Sequence, residues 1–429
     1  MSSARTTLAP RGVELAANSD VLDLFRTILS NPYDPDENPD GYINIGTSEN
    51  YIMLDEVARF SEARLGLSAR DLSYGEGPWG SPRLRNAMAK HMTKYFHPAK
   101  PIDPDHILFA NGLTSICEML GFTIADAGDG ILLPRPVYQA FQADFGTKAK
   151  IKSVFVSFDG VDQFSSEAVP MYEAAIEQAE KDGTKIRMLM LCHPHNPLGQ
   201  CYPRATIIGL MQLCAKHKIH LISDEIYALS TYIVPNAGKD AVQFESVLSW
   251  DYSQHIDPNY VHHLYGMSKD FAAGGLRLGC IQTQNKELLR AMGAMSQFHW
   301  SSVAGEKLAT LMLEDEEWMA RFLDTSRERL AAHNRMTRKL LDEYGVPYSR
   351  SSNAGFFLWI DLRAHLPEEV QDRWEAEKLL VKRMMEKKVY ITDGGSMWAE
   401  EPGFFRVIFS QDERMVREGL KRVMQAVKG

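Results

Sequence analysis

Residues 186–199 read Ile-Arg-Met-Leu-Met-Leu-Cys-His-Pro-His-Asn-Pro-Leu-Gly, and the fold class turns on this stretch. Its first seven residues are almost continuously apolar, and a turn built on Asn196-Pro197 and Gly199 follows at once. A strand with one wet face alternates polar and apolar side chains. An unbroken apolar run this short fits a strand covered on both faces. A helical pattern over Arg204–His217 comes next, then a second apolar run at His220–Ser223 and the segment Asp224-Glu225-Ile226-Tyr227. Strand, helix, strand in that order is a βαβ unit, whose two strands lie parallel.

The same alternation extends in both directions. Short apolar runs at Ile107–Ala110, Gly130–Leu133, Ile151–Val156, Val261–Tyr265 and Leu278–Thr283 read as strands. Helical patterns cover Arg83–Phe96, Ser115–Ala125 and Tyr172–Asp182. This is an α/β pattern, with a mostly parallel sheet between helices. After about residue 304 it gives way to long amphipathic helices, Glu306–Asp315 and Trp318–Glu343, and to strands at Gly355–Asp361 and Phe404–Ser410. At the other end, an apolar-periodic helix near 17–30 precedes a turn-rich loop at 31–41. The expected organisation is a segment 1–50 packing on a small domain, a large domain at 51–304, and a small α+β domain at 305–429.

Composition narrows the function. The 429 residues are 45% hydrophobic and 24% charged, with a net charge of −9 and no long basic block, so nucleic acid is not an expected partner. No apolar run is long enough to span a bilayer, and the N-terminus lacks the apolar core of a secretory signal. A short transit peptide is the weaker reading of its Arg, Ser and Thr. Five cysteines at irregular spacing fit reduced thiols and a cytoplasmic location. Cys192, His193 and His195 lie close together, but no second ligand pair accompanies them, so no metal site is expected.

Four groups stand at the carboxyl ends of expected strands, where open parallel sheets bind ligands. Asn196 follows Ile186–Cys192, Asp224 follows His220–Ser223, Lys269 follows Val261–Tyr265 in Gly266-Met267-Ser268-Lys269-Asp270, and Arg277 lies eight residues on. Each alone is an ordinary turn or helix cap. Their order and placement together point to one site.

The set Asn-Pro-x-Gly, Ser-Asp-Glu-Ile-Tyr, Ser-Lys-Asp with Gly-x-Arg-x-Gly, and a late Phe-Arg resembles the fold-type I aminotransferase family of pyridoxal-phosphate (PLP) enzymes. Gly46-Thr47-Ser48-Glu49-Asn50, Asn353 to Leu362 and Glu401 to Val407 are most similar to its 1-aminocyclopropane-1-carboxylate (ACC) synthase branch. The resemblance runs from about residue 41 to 410. It implies a PLP-dependent transferase fold whose large domain holds a mostly parallel seven-stranded sheet, and a homodimer with shared active sites.

It also implies roles. Lys269 carries the cofactor as a Schiff base and then serves as the base for the substrate Cα proton. Asp224 pairs with the pyridine nitrogen, because a nearby carboxylate favours the protonated ring. Asn196 and Tyr227 donate to the ring oxygen, and Tyr138 stacks on the ring. Gly112, Leu113 and Thr114 open a helix whose N–H groups cradle the phosphate, completed by Ser268 and Arg277. Arg406 binds the substrate α-carboxylate through a fork that lysine lacks, and Glu49 belongs to the substrate pocket.

The implied reaction is that of an ACC-synthase-like lyase acting on a sulfur-bearing amino acid, S-adenosylmethionine or a cysteine conjugate. The alternative is an aminotransferase delivering the amino group to a 2-oxo acid. A non-catalytic PLP-binding regulator ranks last, because only about 40 residues precede the first family block. Two positions depart from the pattern. The family's Tyr-x-Gly reads Pro78-Trp79-Gly80, so the tyrosine that reaches a neighbouring subunit's phosphate is absent; Tyr74 is near but not aligned. The first Ser of Ser-x-Ser-Lys is Gly266, which removes a phosphate donor.

Overall fold

In a computed structural model, residues 6–17, 20–234 and 241–428 are described, without the side chains of residues 20 and 21. The reading of Met1–Arg5 as part of a leader therefore lies outside the described residues, as does Gly429. The strands, in chain order, are β1 Ile43–Asn44, β2 Ile107–Ala110, β3 Gly130–Pro134, β4 Lys152–Val156, β5 Ile186–Cys192, β6 His220–Asp224, β7 Val261–Gly266, β8 Gly279–Thr283, β9 Phe357–Asp361, β10 Val389–Tyr390, β11 Thr392–Asp393 and β12 Phe404–Ile408.

All seven expected strands of the central sheet form. They pair in the order β2-β8-β7-β6-β5-β3-β4, and β8 alone runs antiparallel to its neighbours. Apolar residues of each strand feed cores on both faces. Leu189 and Leu191 of β5 join one core, Met188, Met190 and Cys192 the other. Complete burial of such side chains stabilises by about 1.5–3 kcal/mol each, which is why an alternating pattern would not survive here. Helices Pro82–Phe96, Val169–Lys181 and Arg204–His217 pack on the first face, and Leu113–Ile124, Ala140–Gly146 and Lys286–Met295 on the second.

A third core lies beside this sheet. It joins helices Glu316–Tyr344, Arg373–Glu386 and Glu413–Ala426 to the antiparallel sheet β11-β12-β9, and takes in Ile43 and Ile45. β1 pairs in parallel with β10, Ile43 opposite Val389. The helix expected near 17–30 is found as Pro10–Ala17 and Asp20–Ser30.

Residues 394–401 leave the small sheet and lie on the large one. Met397 and Ala399 carbonyls accept from Val137 N–H and Arg135 Nη2, both at 2.9 Å, and the Trp398 carbonyl from Arg135 Nε at 2.8 Å. The Trp398 ring stacks on Phe155, centroids 4.1 Å apart.

Candidate active site

Three neighbouring parallel strands, β5, β6 and β7, end side by side: Cys192 is opposite Asp224, and Asp224 opposite Leu264. The turn after β5 needs Gly199 at φ +66, where a Cβ would sit 2.2 Å from Ser352 Oγ. It closes with Gly199 N–H donating to the His195 carbonyl at 2.8 Å, and it presents Asn196. His193, buried beside it, accepts from Tyr202 N–H through Nδ1 at 3.2 Å and bonds the Glu245 carbonyl through Nε2 at 3.1 Å.

After β6 the chain sends alternate side chains to opposite sides. Glu225 turns away from the cavity, accepting from Ser223 Oγ at 3.1 Å and Val247 N–H at 2.9 Å and pairing with buried His263 at 3.0 Å. Asp224 turns in, with Ile226 N–H donating to its Oδ1 at 3.1 Å. Burial pushes its carboxyl up to about 7, against the bond from Ile226 and the charges of His263 and Lys269.

These ends open into a cavity of about 350 Å³. Of the expected residues, Glu49, Leu113, Thr114, Tyr138, Asn196, Asp224, Tyr227, Ser268, Lys269 and Arg277 line it. Gly112 and Arg406 stand one layer behind. Lys269 Nζ donates to the Ser48 carbonyl and lies 6.0 Å above the Tyr227 ring. Burial, reinforced by Arg406 and opposed by Glu49 and Asp224, lowers its amine to about 8. Tyr227 is buried, its hydroxyl 2.9 Å from Ser48 Oγ, its ring edge-on to Phe356 and Phe357. Tyr138 is half-buried and edge-on to Phe141.

Arg406 is 2% exposed and makes no ion pair among the described residues. Its Nη1 donates to Asn196 Oδ1 and its Nη2 to the Gly46 carbonyl, both at 2.8 Å, while buried Nε has no partner. Arg277, exposed and also without an ion pair among the described residues, reaches back over the start of helix Leu113–Ile124. Gly112 there has φ +85, and a Cβ would lie 2.6 Å from Arg277 Nη2. The first N–H groups of a helix lack intrahelical acceptors, so this corner presents donors and a guanidinium together. Gly266 has a steric reason: a Cβ would sit 2.7 Å from the Leu278 carbonyl oxygen, so a serine does not fit.

Asp144 also lines the cavity, and the sequence reading missed it. Burial and the Asp224 charge raise its carboxyl to about 7, against a hydrogen bond from the Thr114 side chain. Its one signal, an acid on the inner turn of a short helix after Tyr138, looks like any surface acid. Trp79 and Tyr74 do not line the cavity and are 43% and 83% exposed.

The donor set fits PLP. A buried carboxylate with no ion pair among the described residues suits the ring nitrogen, and a depressed amine suits attachment. A glycine cradle with an unpaired guanidinium suits the phosphate, and an orphaned Nε suits a further anion.

Comparison with known proteins agrees. The chain is 31% identical, over 98% of its length and 72% of the other protein, to the mouse protein named probable inactive 1-aminocyclopropane-1-carboxylate synthase-like protein 2. It is 31% identical to 1-aminocyclopropane-1-carboxylate synthase 1 of Prunus mume, over 96% of this chain and 83% of that one. A solved Pyrococcus horikoshii kynurenine aminotransferase superposes with a TM-score of 0.75 over 98% of this chain and 97% of that one, at 18% identity, a likeness of fold. The sequence profile described as aminotransferase class I and II matches residues 41–423. With that match spanning both cores and every wall of the cavity, the chain belongs to the class I and II aminotransferase family, whose cofactor is pyridoxal 5′-phosphate, and is related within it to the ACC synthases.

Proposed function

We propose that the protein is an ACC-synthase-like lyase acting on a sulfur-bearing α-amino acid, with S-adenosylmethionine as the first candidate and a cysteine conjugate as the second. The observation that carries this reading is Glu49. It lines the cavity, its Oε1 lies 3.7 Å from where a Cβ would stand on Gly274, and it makes no ion pair among the described residues. A carboxylate facing the cavity attracts a sulfonium cation and gives an uncharged thioether no Coulombic gain, which ranks S-adenosylmethionine above a cysteine conjugate.

Bound here, the cofactor supplies an electron sink conjugated to the substrate Cα. The chain supplies the rest. Asp224 holds a proton-bearing ring nitrogen, and the Asn196 amide and Tyr227 hydroxyl donate to the ring oxygen. The N–H groups from Gly112 to Thr114, with Ser268 and Arg277, hold the phosphate. Arg406 binds the α-carboxylate through Nε, its nitrogen without a partner among the described residues. Lys269 Nζ, neutral above about pH 8, is the group able to take the Cα proton.

The second reading, amino transfer to a 2-oxo acid, is favoured by the family itself. A dimer with shared sites completes the proposal. Its support is the exposed apolar edge of Leu72, Tyr74 and Trp79, which has no role in this chain's own cavity. Product analysis separates the readings. The cofactor-loaded protein is offered S-adenosylmethionine, a cysteine S-conjugate, or an amino acid with 2-oxoglutarate. ACC, pyruvate with a thiol, or glutamate respectively marks each reaction. Bound cofactor with none of the three products removes both catalytic readings.

A further inference from the structure

Asp270 follows Lys269 in sequence, yet its carboxylate does not line the cavity and is 1% exposed. Oδ2 accepts from Leu229 N–H at 2.9 Å and Tyr265 O–H at 2.8 Å, and Oδ1 accepts from Ser230 O–H at 2.6 Å. These donors come from two segments. Tyr265 stands near the end of β7, the strand that delivers Lys269. Leu229 and Ser230 follow Tyr227 in the segment that leaves Asp224, so one side chain ties the lysine turn to the ring-contacting segment.

Neither segment is regular where they meet. Ala272 sits at φ +50, which is uncommon for a residue with a Cβ, and its N–H donates to the Lys269 carbonyl at 3.1 Å. Such a backbone persists when its surroundings over-determine it, and it clusters where geometry matters. The tie extends further: the Leu229 carbonyl accepts from Arg327 Nε at 3.2 Å, on helix Glu316–Tyr344 of the small core.

We infer that Asp270 is a positioning residue, which fixes Lys269 Nζ in register with Tyr227 and Asp224 and links that register to the small-domain helix through Leu229 and Arg327. The inference rests on the reading of Lys269 as the cofactor-bearing amine. An ionised carboxylate only accepts, and three donors aim at it. An asparagine would keep its oxygen toward Leu229 N–H and Tyr265 O–H and turn its NH₂ to the rotatable Ser230 hydroxyl, so Asp270→Asn removes the charge and the charge-assisted strength of these bonds while every partner stays matched. Burial raises the Asp270 carboxyl to about 6, against Ser230, Leu229, Tyr265 and the Arg327 charge, so it is ionised at neutral pH.

The test compares Asp270→Asn with Tyr265→Phe, which removes a single donor and covers the case in which the first variant does not fold. Apo protein is mixed with PLP, and the capture rate is followed by absorbance across pH, with cofactor affinity and melting temperature measured in parallel. Loosening the turn lets water reach the buried amine, so the pH midpoint of capture rises by about half a unit or more in Asp270→Asn, and by less in Tyr265→Phe. Variants that melt earlier but keep the wild-type midpoint and affinity reduce Asp270 to a structural residue and overturn the inference. If the unsubstituted protein captures no cofactor, the reading of Lys269 falls first and takes this inference with it.

Discussion

Arg406 Nη1 donates to Asn196 Oδ1 across 2.8 Å, so the expected carboxylate anchor and the expected ring-oxygen donor are one hydrogen-bonded pair. With its oxygen engaged, the Asn196 amide has only its NH₂ to offer the cavity. Asn196→Asp would put an acceptor where that donor stands. The expected result is weaker cofactor binding, read as Kd, together with a changed absorbance of the bound cofactor.

Arg406→Lys keeps the charge and loses the fork. Hydrogen bonds to charged groups are worth about 1.5–3 kcal/mol, so KM for the amino-acid substrate should rise about tenfold or more. Cofactor Kd should move much less, and the two measurements together locate the effect at the substrate carboxylate.

Lys269→Ala should abolish the absorption band of the attached cofactor, while the band persists in the wild type. In the folded apo protein the amine titrates near 8, against about 10.4 for a free lysine. Between those values the folded state holds fewer protons than the unfolded one, so this group's contribution to stability rises with pH across that window. Lys269→Met should therefore raise the melting temperature of the apo protein more at pH 7 than at pH 10.

Asp144 and Asp224 repel each other, and repulsion is reciprocal. Asp144→Asn removes one charge and lowers the carboxyl of Asp224, which then stays ionised to lower pH. The acid limb of cofactor affinity, measured from pH 5 to 8, should move down. An unmoved limb would mean that Asp144 has no electrostatic hold on the ring end of the site.

Gly112→Ala puts a Cβ 2.6 Å from Arg277 Nη2 at a backbone conformation, φ +85 and ψ +168, that costs roughly 1–3 kcal/mol for any residue but glycine. Affinity for PLP should fall by about tenfold, whereas affinity for pyridoxal without its phosphate should hardly change.

The central sheet was legible because burial on both faces keeps its inner strands mainly apolar, with few interruptions such as Arg187 in β5 and His262 and His263 in β7. Pairs such as Ile43–Asn44 with Val389–Tyr390 were not legible, since two residues carry no period and their partners lie more than 300 positions apart. Helix Leu113–Ile124 starts two residues before the expected Ser115 because Gly112, at positive φ, ends the turn there. Family motifs marked three side chains that line one cavity, Asn196, Asp224 and Lys269. Asp144 carried no signal and Asp270 only that of its place in Ser-Lys-Asp, because what sets them apart is which distant donors or charges face them.

The strap at residues 394–401 staples one corner of the molecule. Four bonds there, from Arg135, Val137 and Phe158, pin the small core against the large sheet next to Tyr138, a few residues before the strand that carries Arg406. The chain that leaves this staple enters strand Phe404–Ile408 almost at once, so the guanidinium of Arg406 is carried by a segment anchored on the Tyr138 side of the cavity. Its own bonds to Asn196 and Gly46 fix the other end, and the carboxylate anchor is therefore held from both cores.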